Sequence, residues 1–586
     1  MLKRSILLSS GVWIGQQLLE GALGLSSAIA QVIPDRTLDQ ESSIVQNRFG
    51  IQQIGGGATR GTALFHSFSM FNIGTGDRAY FDSPEGIATI FSRVTGKGIS
   101  TIDGTLGVSG KADLFLMNPN GVIFGKNARL DLTGSFTATT ADRILFGASQ
   151  QFTADGTQAV PLLAVNVPIG LQWGDQGGQL VSQGANLQVS PGQMLRLLGS
   201  GVRLEGGSIR AGKVAIASVS QNETLMIQPT GDVTVGLTTG LTQFAPIDIQ
   251  KGALIDVSGN ASGSISLLGS SISIRDGSSL FANVSGNGRE SGSEEIRITG
   301  TEKIEILGDR LQNKPTVIAS DTLKNATGNS ADILITTPNL ILKDGARIQT
   351  RTYGPGNGGS ITIRSANIEA SGGLVEVPMA NGKTEDIATG IVSRGEEGSS
   401  GNGGNVRLES DRITLTQGAE FRASTRGSGN AGDFTVLAKE VTLAGGSSEF
   451  LTGFSTSTGN GTDPTIAGRG GNLILTSDRL SILSGASVRS GTSGRGEAGS
   501  LTVNVRELRV SGLDPIDGTQ SSISTSTNSV TLADGQRAQA SGRSGNLSIN
   551  ASSVQVLDGG SIRSSSTGSG NAGNLTIRSQ IGRAHV

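Results

Sequence analysis

The chain has 586 residues, and its composition excludes several functional classes before any motif is considered. It contains 89 glycines and 2 histidines but no cysteine. The absence of cysteine excludes disulfide frameworks, cysteine-based zinc or iron–sulfur sites and a cysteine nucleophile. Its 46 basic and 48 acidic side chains nearly cancel and its aromatic residues are few, so nothing favours binding to nucleic acid or to an anionic membrane surface.

The first 30 residues have the pattern of a secretory signal peptide. The basic segment Met1–Arg4 precedes the mostly apolar stretch Ile6–Ile14. Ala28 and Ala30 supply small residues at the third-last and last positions before a cleavage in front of Gln31. Polar residues interrupt the apolar stretch before it reaches the ~20 residues that a membrane span requires. We therefore expect residues 1–30 to be removed during export.

Residues 43–150 alternate apolar and polar side chains in short runs, as β-strands do, but without a regular period. Within them, the sequence Asn118-Pro119-Asn120-Gly121 predicts a tight turn between two apolar strands. Proline fixes φ there, and Asn-Gly accepts left-handed geometry. Turns of this type between buried strands are usually structural.

Metal and cofactor sites are not predicted. His66 has no cysteine or second histidine near it, which favours a packed or capping histidine over a metal ligand. No calcium-binding spacing occurs in the chain. We therefore assign no catalytic residue, no metal ligand and no cofactor.

The motifs of residues 43–150 resemble those of the secretion domain of filamentous-haemagglutinin-type exoproteins, above all the cyanobacterial members. The matching pieces are the Asn-Pro-Asn-Gly turn, Gly134–Phe136, Thr139–Asp142 and the segment Ser67–Asn72. The resemblance predicts a secretion domain over residues 31–260, with its strongest match at 43–150.

This resemblance implies two-partner secretion. The chain would leave the cytoplasm by the Sec route, and periplasmic modules of an outer-membrane polypeptide-transport β-barrel would then recognise its amino-terminal domain. The family fold is a right-handed β-helix. Carried over residue by residue, Asn118, Pro119, Asn120 and Gly121 match the motif that the family needs for secretion. Whether they contact the transporter or hold the fold stays open, and the fold-holding role is favoured.

From residue 261 to 578 the sequence repeats with a period of about 28 residues. In each unit, apolar or small residues fall at fixed offsets of 2, 4, 9, 11, 17 and 19 from the start. The five clearest units start at Gly263, Ala331, Gly404, Gly471 and Gly545. Offset 14 is glycine in every one of them, namely Gly277, Gly345, Gly418, Gly485 and Gly559.

This period predicts an all-β solenoid. Pairs of apolar residues two apart indicate three short strands per unit, each with one face inward, and no helical pattern occurs. The glycine at offset 14 predicts a corner with positive φ or a close backbone approach. Together these features predict a right-handed parallel β-helix with three short strands per coil.

Three coils carry insertions, within Glu376–Ser400, Ser447–Gly468 and Ser511–Gly542. Stacking would bring insertions at one recurrent corner to one edge of the rod. They are either tolerated loop growth or a row of ligand-contacting loops. Few aromatic residues or clustered charges occur in them, which favours tolerated growth.

The favoured function is a non-enzymatic, secreted or surface adhesin whose rod contacts a host cell, a matrix or a glycan. One alternative is a β-helical polysaccharide-degrading enzyme, which would need convergent carboxylates. Adjacent acids occur at Glu294–Glu295 and Glu396–Glu397, but neighbours on a strand point to opposite faces.

A second alternative is the stalk of a contact-dependent toxin whose carboxy-terminal effector is missing. The repeat pattern stops after Arg578, and Ile581–Val586 resembles translated sequencing-adapter sequence. We therefore expect residues 579–586 to be a non-native tail on a truncated chain.

Overall fold

The structure is a computed structural model, and it describes residues 31–579 apart from 148, 158–166, 176, 228–242, 288–294, 373, 379–383, 447–451 and 533. The expected signal peptide lies outside the described residues, as does the expected tail from residue 580 onward. Within the described residues the regular structure is β-strand, with two short 3-10 turns at Asp39–Glu41 and Arg310–Gln312. Over the same residues, no helix is long and apolar enough to cross a membrane.

The larger of two long sheets is built from strands of successive coils that pair in parallel. Val406–Thr416, for example, pairs with Phe434–Ala444 along its length. Only the first two short strands of the sheet's amino-terminal end run antiparallel, against Ala63–Phe71. The strands of this sheet are Val32–Pro34, Ala58–Arg60, Ala63–Phe71, Thr89–Val94, Ser100–Ile102, Asp113–Met117, Val122–Phe124, Phe136–Thr139, Leu180–Gln183, Met194–Gly199, Val202–Glu205, Lys213–Ser218, Ile247–Gln250, Ser264–Arg275, Glu295–Leu307, Asp332–Lys343, Ile361–Ser371, Val406–Thr416, Phe434–Ala444, Leu473–Leu483, Leu501–Ser511, Leu547–Leu557 and Leu575–Ser579.

The second long sheet is wholly parallel and contains one short strand from each coil from Asn186 onward; we call it the short-strand sheet. Its strands lengthen from three to six residues along the chain. They are Asn186–Gln188, Ser208–Arg210, Leu254–Asp256, Ser279–Phe281, Val317–Ala319, Arg347–Thr352, Gly390–Gly395, Glu420–Thr425, Gly453–Thr458, Ser487–Thr492, Ser522–Thr527 and Ser561–Ser566.

Smaller sheets complete the fold. A five-stranded sheet lies near the amino terminus, a four-stranded antiparallel sheet follows it, and two hairpins project from the repeats. Their strands are Ser43–Arg48, Ile51–Gly56, Arg78–Asp82, Thr105–Ser109 and Arg129–Asp131; then Arg143–Phe146, Gln151–Thr153, Pro168–Gln172 and Thr224–Met226; then Leu374–Pro378 with Thr384–Ala388, and Val530–Thr531 with Arg537–Ala538.

This arrangement is a parallel β-helix, as the repeat predicts, but three strands per coil are not confirmed. In the repeats each coil has two strands, because the first two predicted strands join into one long strand such as Val406–Thr416. The buried side chains Val406 and Leu408 are followed by Ile413 and Leu415, an odd spacing that marks a bend. The coils on either side bend at the same place, so their pairing keeps one register through the bend.

The pairing is continuous across residue 260, where the expected secretion domain meets the repeats. Lys213–Ser218 pairs with the first half of Ser264–Arg275, and Ile247–Gln250 pairs with its second half. Two separate strands of the earlier coils therefore merge into one long strand at this point. The coils on the two sides of this boundary form one stack.

The main apolar core fills the inside of the coils from Val32 to Ala551. The inward offsets predicted from the period are buried in the middle coils, as in the unit that starts at Gly404. A second apolar cluster lies outside the coils, where Phe65, Phe91 and Phe115 pack against residues that include Phe152 and Trp173. The four-stranded antiparallel sheet thus covers one face of the first coils.

Glycine fulfils two separate requirements in the stack. The five glycines at offset 14 all have positive φ, between 76° and 89°, which confirms the predicted corner. A second column, which includes Gly404, Gly432, Gly471 and Gly499, lies where successive coils approach closely. A Cβ on each of the last three would collide with the carbonyl oxygen of the glycine one coil earlier. Only glycine fits at these three positions.

The insertions do not emerge at a single corner. In the first inserted coil the extra residues form the hairpin Leu374–Pro378 and Thr384–Ala388, before the short strand. In the last they lie on both sides of Ser522–Thr527, and the part after it includes a hairpin of its own. The insertions therefore flank the short-strand sheet on two sides.

Candidate functional site

The Asn118–Gly121 turn joins two strands of one early coil, Asp113–Met117 and Val122–Phe124. The amide of Gly121 donates to the Asn118 carbonyl oxygen at 3.0 Å, which closes the turn. Gly121 has φ of +126°, and a Cβ there would come within 3.0 Å of the Gln179 carbonyl oxygen on the next coil. Pro119 is buried beside it. The turn therefore requires glycine at its last position.

The Asn118 side chain is completely buried and hydrogen-bonded on both sides. Its Nδ2 donates to the Gly98 carbonyl oxygen at 3.0 Å and to Ser100 Oγ at 2.9 Å, both on the preceding coil. Its Oδ1 accepts from the backbone amide and from Nδ2 of Asn120, each at 3.0 Å. The whole hydrogen-bonding capacity of this amide is used inside the fold.

Asn120 is half-buried and continues the same network. Its Nδ2 also donates to the Gly96 carbonyl oxygen at 2.8 Å. On the other side of the turn, the Asn118 amide donates to Thr139 and Val122 donates to Gln179, both at 3.0 Å. The turn thus fastens three successive coils together. This geometry supports the fold-holding interpretation of the motif, and it presents no titratable or nucleophilic group.

The segment Ser67–Asn72 belongs to the same early coils. Asn72 is buried, and its Oδ1 accepts from the amide of Thr101 at 2.8 Å. The Asn72 amide donates to the carbonyl oxygen of Gln31 at 3.0 Å. Gln31, the residue after the expected cleavage, is thereby tied into the first coil. Ala28 and Ala30 lie outside the described residues.

A buried arginine network beside this segment was missed by the sequence reasoning. Arg93 is fully buried and donates to Ser67 Oγ at 2.9 Å, Thr37 Oγ1 at 2.9 Å and the Thr153 carbonyl oxygen at 2.7 Å. Its guanidinium carbon lies 4.5 Å from the centroid of the Phe152 ring. Burial lowers the pKa of Arg93, which the charge of Asp35 opposes. The available signal was an arginine within the apolar run Ile90–Val94.

Asp35 forms the acidic side of this network. It accepts hydrogen bonds from the hydroxyls of Thr37, Ser67 and Thr95, at 2.6 to 2.8 Å. Burial raises the pKa of Asp35, but these hydrogen bonds outweigh it and leave the pKa below its usual value. The hydroxyls of Ser67 and Thr37 therefore connect a carboxylate to a buried guanidinium without a direct ion pair.

His66 is a packed core histidine, as predicted. It is fully buried between Phe68 and Phe81, and its Nδ1 lies 3.0 Å from Ser43 Oγ. Its Nε2 has no hydrogen-bond partner within the described part of the chain. Burial lowers the pKa of His66 to about 3, so the ring is neutral at physiological pH. Among the described residues no cluster of His, Asp and Glu side chains could hold a metal ion.

The acids proposed for an enzyme are not arranged as a free pair. Glu396 is buried and receives a hydrogen bond from Arg394 Nε at 2.7 Å, while Glu397 is exposed. Glu294 lies outside the described residues. The structure instead brings Asp321 and Glu396 to the same arginine, Arg351, at 3.7 and 3.5 Å. Because each carboxylate is already bound by arginine, neither is a free general base.

The amino-terminal region is similar to known proteins. Residues 30–267 match the family model of the TPS secretion domain. The Heme/hemopexin-binding protein of Haemophilus influenzae is 34% identical over 110 residues, which are 18% of this chain. The match spans 12% of that relative's length.

Two solved structures are also similar to this chain. The HMW1 secretion domain from Haemophilus influenzae matches with 18% identity and a TM-score of 0.43, over 70% of this chain and 99% of that one. The filamentous hemagglutinin secretion domain matches with 14% identity and a TM-score of 0.30, over 64% of this chain and 96% of that one.

Proposed function

We propose, from the premise that residues 30–267 are a two-partner-secretion domain of the filamentous-haemagglutinin type, that the chain is an adhesin-like exoprotein. In this proposal the Sec machinery exports the chain and cleaves it before Gln31. Periplasmic modules of an outer-membrane polypeptide-transport β-barrel then recognise the secretion domain. The β-helical repeats form a rod outside the cell that contacts a host cell, a matrix or a glycan.

The observation that carries the proposal is the match of the secretion-domain family over residues 30–267. The continuous stack supports the rod. Among the described residues, the row of parallel strands from Ala63–Phe71 to Leu575–Ser579 has sixteen members. A rung spacing of ~4.8 Å gives a rod about 70 Å long. Such a rod presents long lateral faces to a partner.

The absence of cysteine suits this route. An unfolded chain that crosses an oxidising periplasm would be trapped by premature disulfides. Folding outside the cell can then proceed coil by coil, because each coil buries its inner face against the one before it.

The role of the Asn118–Gly121 turn in secretion is tested with an Asn118→Ala, Asn120→Ala double variant. Its release into the medium is measured from cells that carry the transporter. We expect precursor to remain in the periplasm, because the turn that fastens three coils is lost. The matched control is the Asn402→Ala, Asn430→Ala pair, which removes two exposed asparagines of the repeats. Normal release of the Asn118, Asn120 variant into the medium contradicts a role in secretion.

The export route has its own test. Deletion of residues 1–30 should hold the chain in the cytoplasm, as fractionation and immunoblotting would show. Periplasmic or extracellular protein from this variant overturns the signal-peptide assignment. A polypeptide-transport β-barrel encoded beside this gene is a further expected observation.

A polysaccharide-degrading enzyme remains the second candidate, since Asp321, Glu396 and Arg351 converge on the outside of the coils. Because both carboxylates are already paired with Arg351, the site favours binding of a polysaccharide over cleavage of its glycosidic bonds. The test is incubation of the chain with acidic polysaccharides and measurement of new chain ends. The toxin-stalk alternative concerns sequence beyond the repeats.

A further inference from the structure

Charged side chains gather on the outward face of the short-strand sheet in the middle of the rod. We call them the arginine cluster. Its members come from four strands of this sheet and from two loop positions that follow strands, Asp321 and Glu396. They are Asp321, Arg347, Arg351, Arg394, Glu396, Glu420, Arg422 and Arg489.

Parallel stacking aligns these side chains along the rod axis. Arg351 and Arg394 are direct partners on adjacent strands. Arg422 and Arg489 are both paired with Ser455, which lies on the strand between them. Adjacent strands are ~4.8 Å apart, so Arg351 and Arg394 form one column with a one-rung interval. Arg422 and Arg489 form a second column with a two-rung interval, two residues away along the strands. No single short segment of sequence contains both columns.

Positive charge exceeds negative charge in the cluster, because five arginines face three carboxylates. Glu420 lies 3.3 Å from Arg422 and 3.8 Å from Arg489, so both arginines share one carboxylate. Arg347 makes no ion pair with any carboxylate among the described residues, and its Nε donates to the Ala388 carbonyl oxygen at 3.0 Å. Burial, and then the charges of Arg422 and of other cluster arginines, lower the pKa of Arg347 to about 9.

Donors at the cluster also lack partners. Arg422 Nε is buried without a hydrogen-bond partner among the described residues. So is the hydroxyl of Ser487, which is 5% exposed and lies two residues from Arg489 on the same strand. The cluster is nonetheless open to solvent at Arg422 and Arg489, whose side chains are 23% and 52% exposed. Unmet donors beside accessible arginines are the features of a site for an anionic ligand.

We propose that the arginine cluster binds an acidic polysaccharide through its carboxylates, with Arg422 and Arg489 as the contacting residues. Glu420 already shows how a carboxylate fits between these two guanidinium groups. An extended polymer lying along the rod meets successive rungs, which a single small anion does not.

A nucleic acid would use the same charges but needs stacking surfaces as well. Tyr353 is the one aromatic side chain found within the described residues against a cluster arginine, with its ring centroid 5.6 Å from Arg351 Cζ. That arrangement favours the polysaccharide.

The inference rests on the proposed function in one respect only, since it takes the rod to be displayed outside the cell.

The experiment measures binding of the full chain to polygalacturonate, with dextran as the uncharged polymer and dextran sulfate as the sulfated one. We expect the Arg422→Gln, Arg489→Gln variant to bind polygalacturonate at least tenfold more weakly than the unaltered chain. The matched control is Arg407→Gln, Arg412→Gln, which removes two exposed arginines from Val406–Thr416 in the larger sheet. We expect that control to change affinity less than twofold.

Three results overturn the proposal. The first is unchanged polygalacturonate binding by the Arg422, Arg489 variant at an unaltered unfolding midpoint. The second is binding of dextran sulfate without polygalacturonate, which assigns a sulfated ligand. The third is displacement of the polymer by inorganic sulfate or acetate at equal charge concentration, which assigns a small-anion site.

A variant with the opposite expectation separates binding from folding. Glu420→Gln removes the carboxylate that competes with the ligand for Arg422 and Arg489, so polygalacturonate affinity should rise severalfold. A merely structural cluster predicts no such gain, and a fall in affinity of the folded variant refutes the proposal. A chain that is secreted but does not bind refutes this site alone. A chain that binds but is retained in the cell refutes the export proposal alone.

Discussion

Asn118 offers a quantitative test of what the Asn-Pro-Asn-Gly turn does. Asn118→Ala removes four hydrogen bonds, to Gly98, to Ser100 and two from Asn120. At ~1 kcal/mol for each neutral hydrogen bond, the four lost bonds lower the free energy of unfolding by about 4 kcal/mol. The site is fully buried, so the partner groups left without a hydrogen bond favour the upper end of the range for each bond. The early coils should therefore open roughly a thousandfold more often than in the unaltered chain.

Native-state hydrogen exchange of the full chain measures this opening locally, which a single unfolding midpoint of a long repeat protein does not. The Asn120 amide, which donates to Asn118 Oδ1, should lose protection first. Asn120→Ala is the matched variant, since it removes the bond to Gly96 and one to Asn118 and should cost about 2 kcal/mol. Equal, small losses of protection in both variants would refute the reasoning that the motif holds the fold.

Two further predictions concern stability. The pKa of His66 is about 3 in the folded chain and near 6.5 in the unfolded chain. The free energy of unfolding therefore keeps its full His66 contribution above pH 6.5 and decreases as the pH is lowered from 6.5 towards 3. At about pH 4 the loss is ~3 kcal/mol, and His66→Leu should show a shallower acid dependence in denaturant titrations. Gly432→Ala should lower the urea midpoint far more than Gly98→Ala, because a Cβ on Gly432 meets the Gly404 carbonyl oxygen, whereas Gly98 has open space and no positive φ. Similar midpoints for the two variants would contradict the close approach in the glycine column.

The turn and the histidine show how far sequence reasoning reached in the candidate site. A tight turn at Asn118–Gly121 and a packed His66 follow from residue types and their neighbours. The partners of Asn118 do not, because Gly98 and Ser100 lie on the previous coil and nothing in the spacing reveals the coil length in this region. Arg93 was missed for the same reason, since its partners Thr37 and Thr153 are brought together only by folding.

The expected strand count and the expected position of the insertions were corrected by pairing between coils. The sequence period identifies which side chains face inward, but a bend in the backbone does not end a strand when the neighbouring coil bends with it. This is why Val406–Thr416 is one strand. Likewise, insertion lengths are visible in the sequence, whereas the corner from which each one projects depends on where the short strand resumes pairing.

The sequence by itself determined the inward offsets, the positive-φ glycine corners and the β-helical class, because these depend on alternation and on local backbone geometry. Only the tertiary structure decided which residues of different coils become neighbours. The arginine cluster illustrates the reason. Arg422 and Arg489 are far apart in the chain and separated by an insertion of irregular length, yet the stacking of parallel strands places them two rungs apart on one face.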